Sequence, residues 1–149
     1  LFMLPFKALL AASAIAVSLS APVYGHGHGD CHDTKLHNYM EDMKTDLKSL
    51  SFEIRSGNTE NALTRIDSIR QNLTLSRSET PYLLKEKTLS AEELSQRMAD
   101  YQKVIDDTSS VFNKLKVAVS ENDQDSVKSL VKEVGKLRKI GHRTFQFEC

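Results

Sequence analysis

Apolar side chains recur along this chain at helical intervals. Leu36, Met40, Met43, Leu47, Leu50 and Ile54 follow one another at spacings of 4, 3, 4, 3 and 4. Steps of three and four stay close to one 3.6-residue turn, so they keep a single helix face apolar. A second helix is predicted over residues 59–76, where Ala62, Ile66, Ile69 and Leu73 repeat 4, 3, 4. The third stripe is the longest, with Leu94, Met98, Tyr101, Ile105, Thr108, Phe112, Leu115 and Val119. The fourth carries Val127, Val131, Val134, Leu137, Gly141 and Phe145. No run alternates at the period of two that marks a half-buried strand.

The boundary signals agree with this periodicity. Asp33 or Thr34 can accept the free N–H groups that open the first helix, and Gly57 can end it in the left-handed conformation. Ser90-Ala91-Glu92-Glu93 is a capping box for the third helix. Asn122 or Asp123 caps the fourth. Pro81 biases Thr80 away from the helical region, so residues 77–89 read as a connection. The first and second helices, and the third and fourth, are joined by short turns and should be antiparallel neighbours. The expected fold is all-α, an antiparallel up-down-up-down four-helix bundle over residues 34–149.

Composition narrows the function. Among 149 residues, Lys plus Arg and Asp plus Glu are both 20, for a net charge of zero. That balance argues against a strongly basic nucleic-acid surface, and no nucleic-acid partner is expected. Two Cys cannot build a four-thiolate metal site. Within residues 4–22 one cation, Lys7, precedes an apolar run of small and aliphatic residues. They read as a secretory signal peptide, cleaved after Gly25, with a retained membrane anchor as the competing reading. The division expected is therefore a signal peptide over residues 1–25, a His-rich arm over 26–33 and the bundle beyond. Cleavage would leave a periplasmic protein, free of the membrane and monomeric.

Ordinary enzyme chemistry finds no support. There is no Cys-x-x-Cys-His for covalent haem, no Glu-x-x-His for a di-iron centre and no Gly-x-Ser-x-Gly nucleophile elbow. Two residues on different helices stand out instead. Met40 taken alone is a core filler, and His142 taken alone is a surface imidazole at a helix C-terminus. In an up-down-up-down bundle, however, the start of the first helix and the end of the last share one end of the molecule. Met40 lies about 9 Å inside its helix and His142 about 7–8 Å from the end of its own, at 1.5 Å per residue. A thioether and an imidazole at one level can ligate a planar haem iron from opposite faces.

The first helix reads Tyr39-Met40-Glu41-Asp42-Met43-Lys44-Thr45-Asp46-Leu47-Lys48, and the last ends Leu137-Arg138-Lys139-Ile140-Gly141-His142-Arg143-Thr144-Phe145. With Thr80-Pro81 and Asp100-Tyr101 between them, these segments resemble the soluble cytochrome b562 family. The resemblance runs over residues 36–147 without large gaps. It implies one noncovalent haem b per chain, with Met40 and His142 as axial ligands. It also implies that Arg138 lies near the haem and Tyr101 beside it, with Met43 and Ile105 able to line the same pocket. Six-coordinate iron leaves no open position for substrate. The implied role is therefore electron transfer with periplasmic redox partners, not catalysis. The chain departs from the family in its arm, in its terminal Cys149 and in Gly141 before the histidine, which should loosen the helix by roughly 1 kcal/mol relative to Ala.

Cys31 lies nine residues before Met40 and Cys149 seven after His142. Both should emerge at the same end of the bundle, where a disulfide between them is expected, with two unrelated thiols as the alternative. Cleavage at Gly25 would expose His26-Gly27-His28, whose amine, amides and third-position imidazole suit square-planar Cu(II) or Ni(II). His32 and His37 could add ligands. The second functional reading is accordingly a haem-free bundle that binds copper, nickel or zinc through this arm; a flexible polar tail is the plainer account.

Overall fold

The computed structural model describes residues 32–147, every secondary-structure element of which is helical. Four long helices and one short one follow in order: α1 (Lys35–Ser56), α2 (Thr59–Arg77), α3 (Tyr82–Glu86), α4 (Ala91–Ser120) and α5 (Gln124–Phe145). The predicted signal peptide, His26, His28, Cys31 and Cys149 lie outside the described residues.

Each long helix begins where a short oxygen-bearing side chain takes up a free N–H. Thr34 accepts from the His37 amide, Asn58 from Asn61, and Asp123 from Ser126. At α4 the capping box is complete: the Glu93 amide donates to Ser90, and the Ser90 amide donates to Glu93. Gly57 closes α1 at φ 72°, as expected. The α4–α5 turn instead uses Asn122 at φ 53°, a residue that tolerates this region better than most.

The paired residues show the direction of each neighbour. Asp67 of α2 meets Lys116 of α4, whereas Arg77, further along α2, meets Asp106, earlier in α4. Arg97 of α4 donates to the Thr144 carbonyl of α5, and Gly141 lies against Val104. α2 therefore runs opposite to α4, and α4 opposite to α5. The two-residue α1–α2 turn imposes the same reversal on that pair. α1 packs on α2, α2 on α4, and α4 on α5. Among the described residues, α1 and α5 do not form a closely packed pair. The result is a four-helix bundle with a seam between its first and last helices.

The predicted stripes form the core. Met43, Leu50, Ala62, Ile66, Ile69, Leu73, Tyr101, Ile105, Phe112, Leu115, Val119, Val134 and Phe145 are all buried in one cluster. Two stripe positions depart from expectation. Leu94 is exposed because it lies in the first turn of α4. Val131 is exposed because it lies on the flank of α5 turned away from α4. The connection after α2 holds a helix that periodicity did not predict. α3 starts directly after Pro81, buries Leu84 and packs against α5. Five residues are too few to display a repeat, so its helicity comes from tertiary packing.

Asp46 of α1 is a buried charge among the stripe positions. It accepts from Arg65 Nη1 at 3.1 Å and from Ser68 Oγ at 2.6 Å, tying α1 to α2. Asp46→Ala should cost about 1–2 kcal/mol in chemical denaturation, because it removes two bonds to a charged acceptor while Arg65 can still reach water. Gly141 does not break α5. A Cβ there would meet Val104 Cγ1 at 3.3 Å, whereas one at Gly135 would meet nothing. Gly135→Ala should therefore stabilise by about 1 kcal/mol, and Gly141→Ala by clearly less, because its propensity gain is offset by the contact.

Candidate functional site

The even number of long helices brings the start of α1 and the end of α5 to one end of the bundle. Met40 is five residues from the first residue of α1, and His142 three from the last of α5. At 1.5 Å per residue they lie about 7–8 Å and about 4–5 Å from that end. Each stands on a particular flank. Asp46 marks the side of α1 that faces α2. Met40 falls about 120° round the axis from it, on the other side of the buried Met43. Gly141 marks the side of α5 that faces α4. His142 falls about 100° further round, turned away from α4. Both flanks border the α1–α5 seam.

The immediate surroundings of the two side chains differ. Met40 is half-buried and packs against the core cluster. His142 is also half-buried. It lines a shallow depression of about 580 Å³ with Gly135, Arg138, Lys139, Arg143 and Gln146. Five of these residues belong to α5 and Gln146 directly follows it, so the depression lies along the last helix and does not itself contain Met40. Burial, with a smaller contribution from the Arg138 charge, pushes the His142 imidazole below its ordinary pKa. Its neutral form, the one that can coordinate a metal, is favoured.

Beneath these residues the bundle end is closed and apolar. Met43 and Ile105 are buried in the common core. Tyr101 is fixed from two sides. Its hydroxyl donates to the Ser76 carbonyl at 2.6 Å, and its ring meets Phe145 edge-on at 5.5 Å. Burial first, and the Glu79 charge second, push the phenol pKa upward, so it remains a neutral donor. Arg97 lies 5.3 Å from the Phe145 ring centre. Sequence reasoning missed the part played by α3. Tyr82 packs on Phe147 at 5.0 Å, and Pro81 and Leu84 are buried, so the α2–α4 connection covers this same end.

A half-buried thioether, a neutral imidazole, a nearby guanidinium and a dry floor suit a haem iron with its acidic propionates. The residues present fit that group. Of the arm's candidate ligands, His26 and His28 lie outside the described residues. His32 is exposed and meets His37 edge-on at 5.0 Å. Among the described residues no group of three His, Cys, Asp or Glu side chains could hold a metal ion. None of the helices among them is long and apolar enough to cross a membrane.

A family model described as Cytochrome b562 matches residues 35–146. No curated protein and no solved structure matches the chain.

The depressed His142 pKa has a consequence for the haem-free protein. Between the depressed folded value and the ordinary value, the unfolded chain binds more protons than the folded one. The contribution of His142 to stability is then present above the ordinary value near 6.5 and lost as pH falls through the folded value. Urea midpoints of the haem-free protein should fall between about pH 8 and about pH 5, and His142→Gln should flatten that dependence.

Proposed function

The chain belongs to the cytochrome b562 family, and from that premise we propose that it carries single electrons on one noncovalent haem b, with Met40 and His142 as axial ligands. The family is one of haem-binding helical bundles that carry electrons and are not enzymes. The observation that supports the ligand assignment is the placing of Met40 and His142 on the two flanks that border the seam, at one end of the bundle.

Bound haem would supply one-electron exchange between ferric and ferrous iron. This chain's own residues supply the rest. Met40 offers a soft thioether, which favours the ferrous state and raises the potential. His142 offers a neutral nitrogen. Arg138 stands one turn before His142 on the same helix, where its guanidinium can meet a propionate. Met43, Ile105 and the Tyr101–Phe145 pair exclude water from the floor, and α3 covers the end.

Export completes the reading. Residues 1–25 act as a signal peptide, and the mature protein works in the periplasm as a monomer with redox partners there. A disulfide between Cys31 and Cys149 would tie the two chain ends near the haem.

The test is haem titration of the purified protein, oxidised and then reduced. Sharp low-spin bands should appear on reduction. Met40→Ala and His142→Ala should each convert the spectrum and weaken haem binding at least about tenfold, roughly 1.4 kcal/mol, with helicity unchanged by circular dichroism. If both variants keep the parent spectrum, the ligand assignment is wrong.

A further inference from the structure

Charge is distributed differently on α5 than on the other long helices. Lys128, Lys132, Lys136, Lys139 and Arg143 follow one another at spacings of 4, 4, 3 and 4. All five are exposed. At about 100° per residue they share one face, opposite the buried Val134 and Phe145, over about 22 Å. The outward faces of the other helices mix signs and types: Glu41, Lys48 and Phe52 on α1; Glu60, Gln71 and Leu75 on α2; Glu92 and Lys103 on α4. The ion pairs among the described residues also join α1, α2 and α4, and none includes an α5 cation. Acids are present on α5 but do not neutralise the stripe. Glu133 falls off its line, and Asp125 lies in the first turn, at the end far from His142.

A solvated outer face explains exposed charge, but it does not explain a single sign over four turns in a chain of zero net charge. The stripe also has a position. Lys139 and Arg143 form the outer walls of the depression that His142 lines. A surface docked on this stripe would lie beside the proposed haem edge.

We propose that the outward face of α5 is the docking surface for an acidic patch on a redox partner protein, an inference that rests on the haem reading for its electron-transfer role. Charge complementarity identifies the partner's chemistry: carboxylates spaced along an edge about 20 Å long, matching the stripe. The cations raise the encounter rate with such a partner and hold it on the side from which His142 is reached. In each encounter one electron passes from the reduced protein to the oxidised partner, and no bond is made or broken.

The experiment compares three haem-loaded proteins: wild type, the stripe variant Lys132→Glu/Lys136→Glu/Lys139→Glu, and a control variant Lys48→Glu/Lys85→Glu/Lys114→Glu with the same change in net charge. Stopped-flow oxidation of the reduced proteins by hexacyanoferrate(III) transfers one electron and yields hexacyanoferrate(II). At low ionic strength the stripe variant should react about tenfold more slowly than wild type, and the control should lose much less. Added salt should slow wild type towards the stripe variant. Binding of fluorescent poly-glutamate, read by anisotropy, repeats the comparison without needing haem, and only the stripe variant should lose it. Equal behaviour of the stripe and control variants in both assays overturns the proposal. Stripe-dependent sedimentation with anionic phosphatidylglycerol vesicles, without selective poly-glutamate binding, overturns it in favour of a lipid surface. Absence of a low-spin spectrum would defeat the haem reading separately; the poly-glutamate result would still decide whether the stripe binds acidic protein.

Discussion

The contact between α2 and α4 is the one on which the rest of the bundle depends, because these are the two helices packed on both sides. Ile66 and Ile69 of α2 and Phe112 and Leu115 of α4 are almost wholly removed from water. Full burial of each such side chain contributes about 1.5–3 kcal/mol relative to exposure. Polar links hold this apolar contact in register: Tyr101 to the Ser76 carbonyl, Arg77 to Asp106, and Lys116 to Asp67. The two ion pairs are exposed, and pairs of that kind stabilise little. Their value here is directional, since they fit only one antiparallel alignment.

The site is a consequence of that arrangement. α1 is held by α2 and α5 by α4, so among the described residues the outer helices each retain a flank without a closely packed helical neighbour. Met40 and His142 occupy those flanks. Core packing alone would favour closing the seam, but a family that binds a flat prosthetic group needs a place where two helices stand apart. Below those flanks, the Tyr101–Phe145 contact and the buried Met43 and Ile105 make an apolar floor.

Asp46 and α3 show why parts of the structure were not legible beforehand. Asp46 lies three residues after Met43 and four before Leu50, so its spacing alone put it on the buried arc. An aspartate at a stripe position nonetheless reads as a surface residue until its partners are known. Arg65 and Ser68 are 19 and 22 residues away along the chain. α3 is too short to carry a periodic signal, and its helicity follows from the burial of Leu84 and the contact with α5. Gly141 has the same lesson. As a letter it signals a weak helix position, whereas in the bundle it sits where Val104 comes close.

The sequence by itself determined the four long helices, nearly all of the buried stripes and the capping residues. These depend on interactions within about one turn of helix, or on a periodicity repeated over several turns. It also singled out Met40 and His142, because chain order and helix length already put them near one end of an even-numbered bundle. Only the tertiary structure decided which helices pack and which are left apart, which flanks Met40 and His142 occupy, how α3 covers that end and that Asp46 is paired. Those outcomes depend on groups far apart in the chain, and their energies exist only after the helices have come together.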